Sequence, residues 1–160
     1  MYDGSFETFE KLKRVDTVGV IPITPDGKIL ISQQEQPSIA PFWGTFGGRI
    51  EPNESPFDAA KRELLEESGY ASDQWQLWHA FQPLEKIEWS IYNFIAKDCQ
   101  LVATSTPDVG EKITVQAVTF EEFLKITLQP NFRDSEITLQ VLAAMADPAK
   151  MEKLRVLLSK

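Results

Sequence analysis

The stretch that decides the fold is residues 48–70, which read GRIEPNESPFDAAKRELLEESGY. Ser55 before a proline is typical of a helix N-cap with proline at the first helical position, and Gly69 is a typical C-terminal stop. The sequence therefore predicts a helix that follows Ser55 and ends at Ser68. At about 3.6 residues per turn, one side of this helix is apolar, and we expect it to pack on the core. The residues of this apolar side are Phe57, Ala60 and Leu64.

Three glutamates occupy a second side of the predicted helix. Glu63, Glu66 and Glu67 fall within an arc of roughly 100°, and Glu67 lies beside the apolar side. An ordinary solvated acidic surface is one interpretation. It fits badly, because like charges at this spacing destabilise a helix by roughly 0.2–0.5 kcal/mol per pair, and partial burial adds to the cost. A hard divalent cation such as Mg²⁺ removes the conflict, so the helix is predicted to form half of a metal site.

A pair of glycines precedes this helix. Because they lack a Cβ, Gly47 and Gly48 let the backbone approach closely, so that a carbonyl or amide can reach a metal or a phosphate oxygen. An acidic chain that binds an anionic substrate needs cations between the two, which is the role of bridging Mg²⁺ in phosphoryl transfer. The glycines and the glutamates thus predict the same kind of site.

The quoted stretch resembles the Nudix box, Gly-x5-Glu-x7-Arg-Glu-U-x-Glu-Glu-x-Gly-U, where U is aliphatic. Tyr70 at the last aliphatic position is the one departure. The resemblance implies an α/β fold, the Nudix-type α/β/α sandwich with a mixed β-sheet between helices. It also implies a hydrolase that uses Mg²⁺ or Mn²⁺ and an attacking water to cleave a diphosphate joining a nucleoside to another group. The residues at the fixed positions are Gly48, Glu54, Arg62, Glu63, Glu66, Glu67 and Gly69.

The same resemblance implies roles for individual residues. Glu63 and Glu67 match the family's principal metal ligands, and Glu66 matches a further or bridging ligand. The carbonyl of Gly47 is expected to complete the coordination. The expected catalytic residues also include an orienting pair, which holds the preceding loop against the helix. This pair is Arg62 and Glu54.

The general base is expected outside the box. Residues 107–115, PDVGEKITV, resemble the loop and strand that supply an acidic base in ADP-ribose pyrophosphatases. Glu111 is the predicted base, with Asp108 as the second candidate. The alternative is that both are ordinary surface charges of a loop. Residues 133–139, RDSEITL, resemble the start of that subgroup's C-terminal helix, although they also read as an ordinary capped amphipathic helix.

The expected substrate is ADP-ribose or a related nucleoside diphosphate sugar. Residues 42–48, FWGTFGG, are closer to the approach found in Nudix enzymes that act on nucleoside triphosphates, so release of a nucleoside monophosphate and pyrophosphate is an alternative. A further alternative is a Nudix scaffold that binds a nucleotide without catalysis. Gly48, Arg49 and Trp43 are the predicted substrate-binding residues. Trp43 or Phe42 is expected to stack on a base or to pack in the core.

The remaining sequence predicts one domain over residues 1–160 in which strands and helices interleave. Residues 18–23 and 28–34 are expected to form a hairpin around a Pro-Asp-Gly turn, and residues 36–48 to form a loop with at most short extended pieces. Further strands and helices are expected in the second half. The strands are 75–82, 86–97 and 114–120, and the helices are 121–126, 134–146 and 148–158.

Composition excludes several classes of function. The formal net charge is -8 and no basic block is present, which argues against nucleic acid or membrane partners and leaves a nucleotide-derived small molecule. One cysteine, Cys99, and one histidine, His79, rule out a zinc site built from Cys and His. Without a secretion signal or a membrane-spanning segment, we expect a cytoplasmic location. The sequence leaves open whether the chain forms a homodimer.

Overall fold

A computed structural model describes residues 2–160, which form ten strands and four helices. The strands are β1 (Leu12–Lys13), β2 (Thr17–Pro22), β3 (Ile29–Gln36), β4 (Ile39–Gly44), β5 (Tyr70–Ala71), β6 (Gln74–Phe81), β7 (Ile87–Glu88), β8 (Ile91–Lys97), β9 (Gln100–Leu101) and β10 (Lys112–Val118). The helices are α1 (Pro56–Ser68), α2 (Phe120–Thr127), α3 (Ser135–Met145) and α4 (Pro148–Leu157). No helix in this range is long and apolar enough to cross a membrane.

The strands form two main sheets. The first is antiparallel, with the order β10-β3-β4. The second is mixed, with the order β2-β8-β6, because β2 runs parallel to β8 and β6 runs antiparallel to it. Two short pairs, β1 with β7 and β5 with β9, complete the pairing. The predicted α/β class with a mixed sheet is confirmed, although the strands divide into two sheets.

Alternation along the strands builds a core on each side of the sheets. Since successive side chains point to opposite faces, Val20 and Phe94 pack towards α1, whereas Ile21 and Ile95 pack towards α2, α3 and α4. This arrangement is the expected α/β/α sandwich. We call the two clusters the α1-side core and the α3-side core. Buried residues of the α1-side core are Val18, Val20, Leu30, Phe46, Ala59, Ala60, Leu64, Phe94, Ala96 and Cys99.

Helix α1 has the predicted bounds. The Ser55 hydroxyl accepts a hydrogen bond from the Asp58 N–H, Pro56 occupies the first turn, and Gly69 ends the helix in the left-handed conformation. Of the predicted apolar side, Ala60 and Leu64 are fully buried. Phe57 also faces the core, with its ring against Trp75 and Phe94, but it is 40% exposed and so lies at the edge of the α1-side core and not inside it.

The predicted hairpin of β2 and β3 was wrong. The Pro-Asp-Gly turn is present, but only the Ile23–Ile29 bridge joins the two strands, and each strand pairs elsewhere in a different sheet. Residues 36–48 were expected to be a loop, yet β4 runs antiparallel to β3 after a tight turn at Ser38. Pro41 is tolerated there because β4 is an edge strand.

Candidate active site

The glycine pair lies directly against the acidic side of α1. The N–H of Gly47 donates a hydrogen bond to Oε2 of Glu67 at 2.7 Å. Gly47 has a φ of 150°, and a Cβ there would lie 2.1 Å from the carbonyl oxygen of Val18. A Cβ on Gly48 would lie 2.3 Å from Oε1 of Glu63. Only glycine allows this close approach, so the loop and the two carboxylates form one unit.

Arg62 joins the loop before α1 to the carboxylates on it. Its Nε and Nη2 donate to the two oxygens of Glu54 at 2.9 and 3.0 Å, which is a two-bond pair. Its Nη1 donates to Glu63 at 2.9 Å and to Glu66 at 3.0 Å, and its Nη2 also donates to the carbonyl of Arg49. The predicted orienting contact between Arg62 and Glu54 is therefore present. These partners raise the pKa of the guanidinium above its usual value, Glu54 having the largest effect.

The carboxylates of Glu63 and Glu67 stand in an electrostatically unfavourable place. Glu67 is 6% exposed, and burial is the main cause that raises its pKa to about 8, with the charges of Glu63 and Glu111 acting in the same direction. Burial also raises the pKa of Glu63, against the opposing effect of Arg62. Two carboxylates that resist ionisation in a polar cleft indicate a site that favours an added positive charge.

The donor chemistry of this cluster fits a hard divalent cation. The side-chain atoms that could bind a cation are all carboxylate oxygens, and the glycine loop adds backbone carbonyl oxygens. Within residues 2–160, no group of three or more His, Cys, Asp or Glu side chains is arranged as a ready metal site. Glu63 and Glu66 are turned towards Arg62, and Glu67 is turned towards the Gly47 N–H. The three predicted metal ligands are thus neighbours, and each accepts a hydrogen bond from Arg62 or from the Gly47 N–H.

The loop after β9 brings two more carboxylates to the cluster. The N–H of Thr106 donates to the carbonyl of Glu66 at 2.6 Å, which fixes the loop on α1. Glu111 is half-buried and accepts a hydrogen bond from Nε2 of Gln36 at 2.9 Å. Burial, then the charge of Asp108, raises the pKa of Glu111. Asp108 itself is exposed, so Glu111 is the more desolvated of the two candidate bases.

A cavity of about 740 Å³ opens beside Gly47 and Gly48. Its wall comes from β2, β4, β8, the segment after β6 and the start of α3. Aromatic side chains line part of it, and polar side chains line another part. The aromatic residues are Phe42, Phe46, Phe81 and Trp89, and the polar ones include Gln34, Asn93, Asp134 and Glu136. The volume lies within the range of roughly 300–1,000 Å³ that is usual for small-molecule sites.

Two of the predicted substrate-binding residues lie outside this cavity. Phe42 lines it, but Trp43 packs against the α3-side core, because neighbouring residues of β4 point to opposite faces. The side chain of Arg49 is exposed and does not line the cavity, and its carbonyl binds Arg62. Of the two aromatic candidates named from the sequence, Phe42 lines the cavity and Trp43 does not.

Several cavity residues were missed by sequence reasoning. Asn93 lies in the middle of an apolar strand, where one polar residue gives no signal of a site. Asp134 is the first residue of the predicted helix 134–146 and stands at the N-cap position of α3, but its side chain makes no capping hydrogen bond. It instead accepts hydrogen bonds from the N–H and hydroxyl of Thr45 at 2.6 and 2.9 Å. Burial raises the pKa of Asp134. The resemblance of residues 133–139 to a helix start was the one signal for this wall.

Several known proteins are similar to this chain in sequence. The family model of the NUDIX domain matches residues 13–139. The CTP pyrophosphohydrolase of Escherichia coli (strain K12) is 44% identical over 59 residues, which are 36% of this chain and 43% of that protein. The ADP-ribose pyrophosphatase of Bacillus subtilis (strain 168) is 28% identical over 127 residues, 78% of this chain and 69% of that one. The chain thus spans less than half of the former relative.

One solved structure has a closely similar fold. The crystal structure of an ADP compounds hydrolase superimposes with a TM-score of 0.68 at 18% sequence identity, and the match covers 82% of this chain and 71% of that one. At this identity the likeness concerns the fold alone.

Proposed function

Because this chain belongs to the NUDIX domain family, we propose that it is a metal-dependent hydrolase that cleaves the diphosphate of ADP-ribose or a related nucleoside diphosphate sugar. Water is the proposed nucleophile. The observation that carries the proposal is the pair of desolvated carboxylates, Glu63 and Glu67, held against the glycine loop at the edge of the cavity. A cavity beside an acidic cluster places a bound diphosphate next to the groups that would hold its counter-ion.

The proposed ligands of Mg²⁺ or Mn²⁺ are the carboxylates of Glu63, Glu66 and Glu67 and the carbonyl of Gly47. When bound, such an ion neutralises phosphate charge and makes a coordinated water more acidic. The Gly47 N–H fixes one oxygen of Glu67, which orients the other. Arg62 holds Glu63 and Glu66 from one side while Glu54 holds Arg62. This network keeps the carboxylates in one geometry before substrate arrives.

Glu111 is the proposed general base. Its raised pKa makes the carboxylate a better proton acceptor than an exposed glutamate, and Gln36 holds one oxygen in place. Its charge also acts on Glu67, which puts it within electrostatic reach of the ligand cluster. A proton taken from water would then reside on Glu111, which is partly exposed and can pass the proton to solvent.

Two observations bear on the substrate. The similarity to an ADP-ribose pyrophosphatase extends over 78% of this chain, which supports a nucleoside diphosphate sugar. The similarity to a CTP pyrophosphohydrolase reaches a higher identity over a shorter stretch, which supports a nucleoside triphosphate as the alternative. A nucleotide-binding scaffold without catalysis is the third candidate, and the complete set of box carboxylates argues against it. A cytoplasmic location and one domain over residues 1–160 stay predictions from the sequence.

Product analysis tests the proposal. With Mg²⁺, ADP-ribose should yield AMP and ribose 5-phosphate, and EDTA should stop the reaction. A triphosphate substrate would instead yield pyrophosphate. Glu67→Gln keeps the shape of the side chain and removes a ligand charge, so turnover should fall at least about 10- to 100-fold. Glu152→Gln, on the exposed face of α4, is the matched control. No turnover of any nucleoside diphosphate or triphosphate, or an active Glu67→Gln variant, would refute the proposal.

A further inference from the structure

Asn93 is a buried amide whose side-chain atoms form no hydrogen bond of good geometry with any described residue. It lies in β8 and is 1% exposed. Among residues 2–160, neither its Oδ1 nor its Nδ2 has a partner that forms a hydrogen bond of acceptable geometry. Buried polar side-chain atoms in native proteins almost always have a partner in protein or water. An unpaired amide in such a place therefore requires an explanation.

The position of this amide points to a ligand. Asn93 contributes to the wall of the 740 Å³ cavity, in the part of β8 that faces α3. It rests over Gly19, where a Cβ would come within 2.3 Å of Oδ1. Gly19 also lines the cavity. Because glycine has no Cβ, the Asn93 amide can lie directly against the backbone at this position.

Glu136 stands beside Asn93 on the same wall. Burial raises the pKa of Glu136 to about 7, the charge of Asp134 acts in the same direction, and the amide of Asn93 acts against it. The two side chains are thus close neighbours, although no well-formed hydrogen bond joins them. We call this pair, Asn93 and Glu136, the polar floor of the cavity.

The polar floor has the chemistry of a base-binding surface. An amide offers one donor group and one acceptor, and a carboxylate accepts hydrogen bonds. A heterocycle with an N–H group beside an acceptor matches this set, whereas a phosphate would be repelled by Glu136 and Asp134. Phe42 and Trp89 line other parts of the cavity, and the guanidinium groups of Arg133 and Arg14 lie over their rings at 4.0 and 4.1 Å. Planar groups of this kind, aromatic rings and guanidinium groups, are the usual partners of a flat heterocycle.

We propose that Asn93, with Glu136 beside it, binds the hydrogen-bonding edge of the nucleobase and determines which base the protein accepts. The inference rests on the proposed function, since it takes the ligand to contain a nucleoside. Two kinds of base edge share the required chemistry. An amino group beside a ring nitrogen is found in adenine, and a ring N–H beside a carbonyl is found in hypoxanthine. The base would lie against the polar floor, and the phosphates would extend towards Gly47 and Gly48.

Equilibrium binding without metal tests the proposal. The probes are AMP, IMP and purine riboside 5′-monophosphate, whose base lacks a hydrogen-bond donor on this edge. The wild-type protein should bind AMP or IMP about 5- to 150-fold more tightly than the purine riboside nucleotide, the range expected for a pair of hydrogen bonds to a base. Asn93→Leu should abolish this preference. Tyr92→Phe removes a polar atom from the opposite face of the same strand and should preserve it.

Thermal unfolding separates a binding role from a structural one. At pH 5 the Glu136 carboxyl is protonated, so the Asn93 amide has no carboxylate charge to stabilise. If Asn93 serves a ligand, its replacement by leucine then removes an unsatisfied group, and the melting temperature at this pH should stay the same or rise. Equal binding of all three nucleotides by the wild-type protein, or an equal loss for all three in Asn93→Leu, would overturn the proposal. The assay involves no hydrolysis, so a protein that prefers a base but does not turn over would refute the proposed function and leave this inference standing.

Discussion

Replacing Glu136 by glutamine measures how much the buried charge of this carboxylate lowers the stability of the folded protein. Burial raises the pKa of this carboxyl to about 7, from an ordinary value of 4.5. Between these two pH values the folded chain therefore binds more protons than the unfolded chain, so stability falls as the pH rises. The carboxylate costs nothing below pH 4.5, and its whole cost is present above pH 7.

The size of the effect follows from the same two values. A difference of about 2.5 between the folded and unfolded pKa corresponds to about 3 kcal/mol. Because Glu136 is only partly buried, solvent screening reduces the expected cost to about 1–3 kcal/mol. Glutamine has the same shape without the charge, so the variant should melt about 2–12 °C higher than the wild type above pH 7.

Circular dichroism melts in EDTA, without nucleotide, from pH 4.5 to pH 8.5 measure this difference. The two proteins should have the same melting temperature at the acid end, and the gap should open as the pH rises. Glu152→Gln removes the same charge from the exposed face of α4 and should show no such gap. A gap of constant size at every pH, or a wild type that is the more stable protein at pH 8, would refute the reasoning.

Three further predictions concern the acidic cluster. Arg62→Lys keeps the charge but not the forked hydrogen bonds, so kcat/KM should fall about 10- to 100-fold with an unchanged circular dichroism spectrum, and full activity would contradict the positioning role. Gly48→Ala would put a methyl group 2.3 Å from Oε1 of Glu63, which must move away. Titration calorimetry should then show weaker Mg²⁺ binding, and an unchanged affinity would sink the idea that this glycine is required. Glu111→Gln should lower kcat about 10²- to 10⁴-fold with little change in substrate binding, whereas Asp108→Asn should retain most activity. The reverse order would make Asp108 the base.

The acidic helix could be predicted closely because its signals are local. Both ends of α1 are set by residues within a few positions of it, Ser55 at the start and Gly69 at the end. The contact between Arg62 and Glu54 is also short-range, since the loop carrying Glu54 leads directly into the helix. Spacing along the chain was therefore enough to bring these groups together.

Strand pairing could not be predicted in the same way. Residues 18–23 and 29–34 are buried on both faces, and such strands give no information on their neighbours. The turn at Gly27 suggested a hairpin, but β2 pairs with β8, about 70 residues later, and β3 pairs with β10, about 80 residues later. Packing between distant segments decided the outcome.

The cavity was the least predictable part of the site. Whether Phe42 or Trp43 faces the ligand depends on the register of β4, and that strand lay within an expected loop. Asn93 faces the cavity only because β8 places it opposite α3, a relation between segments about 40 residues apart. The spacing of residues along the sequence does not indicate that an amide in the middle of β8 lines the cavity.

Two separate cores have a consequence for how such a protein can diversify. The proposed metal ligands stand on the helix that rests on the α1-side core, whereas the polar floor belongs to the face covered by α3. Substitutions near the polar floor can therefore change which base is bound without changing the residues that pack beneath the proposed metal ligands on α1. The proposed chemistry therefore lies on one face of the molecule, and the proposed base preference lies on the other.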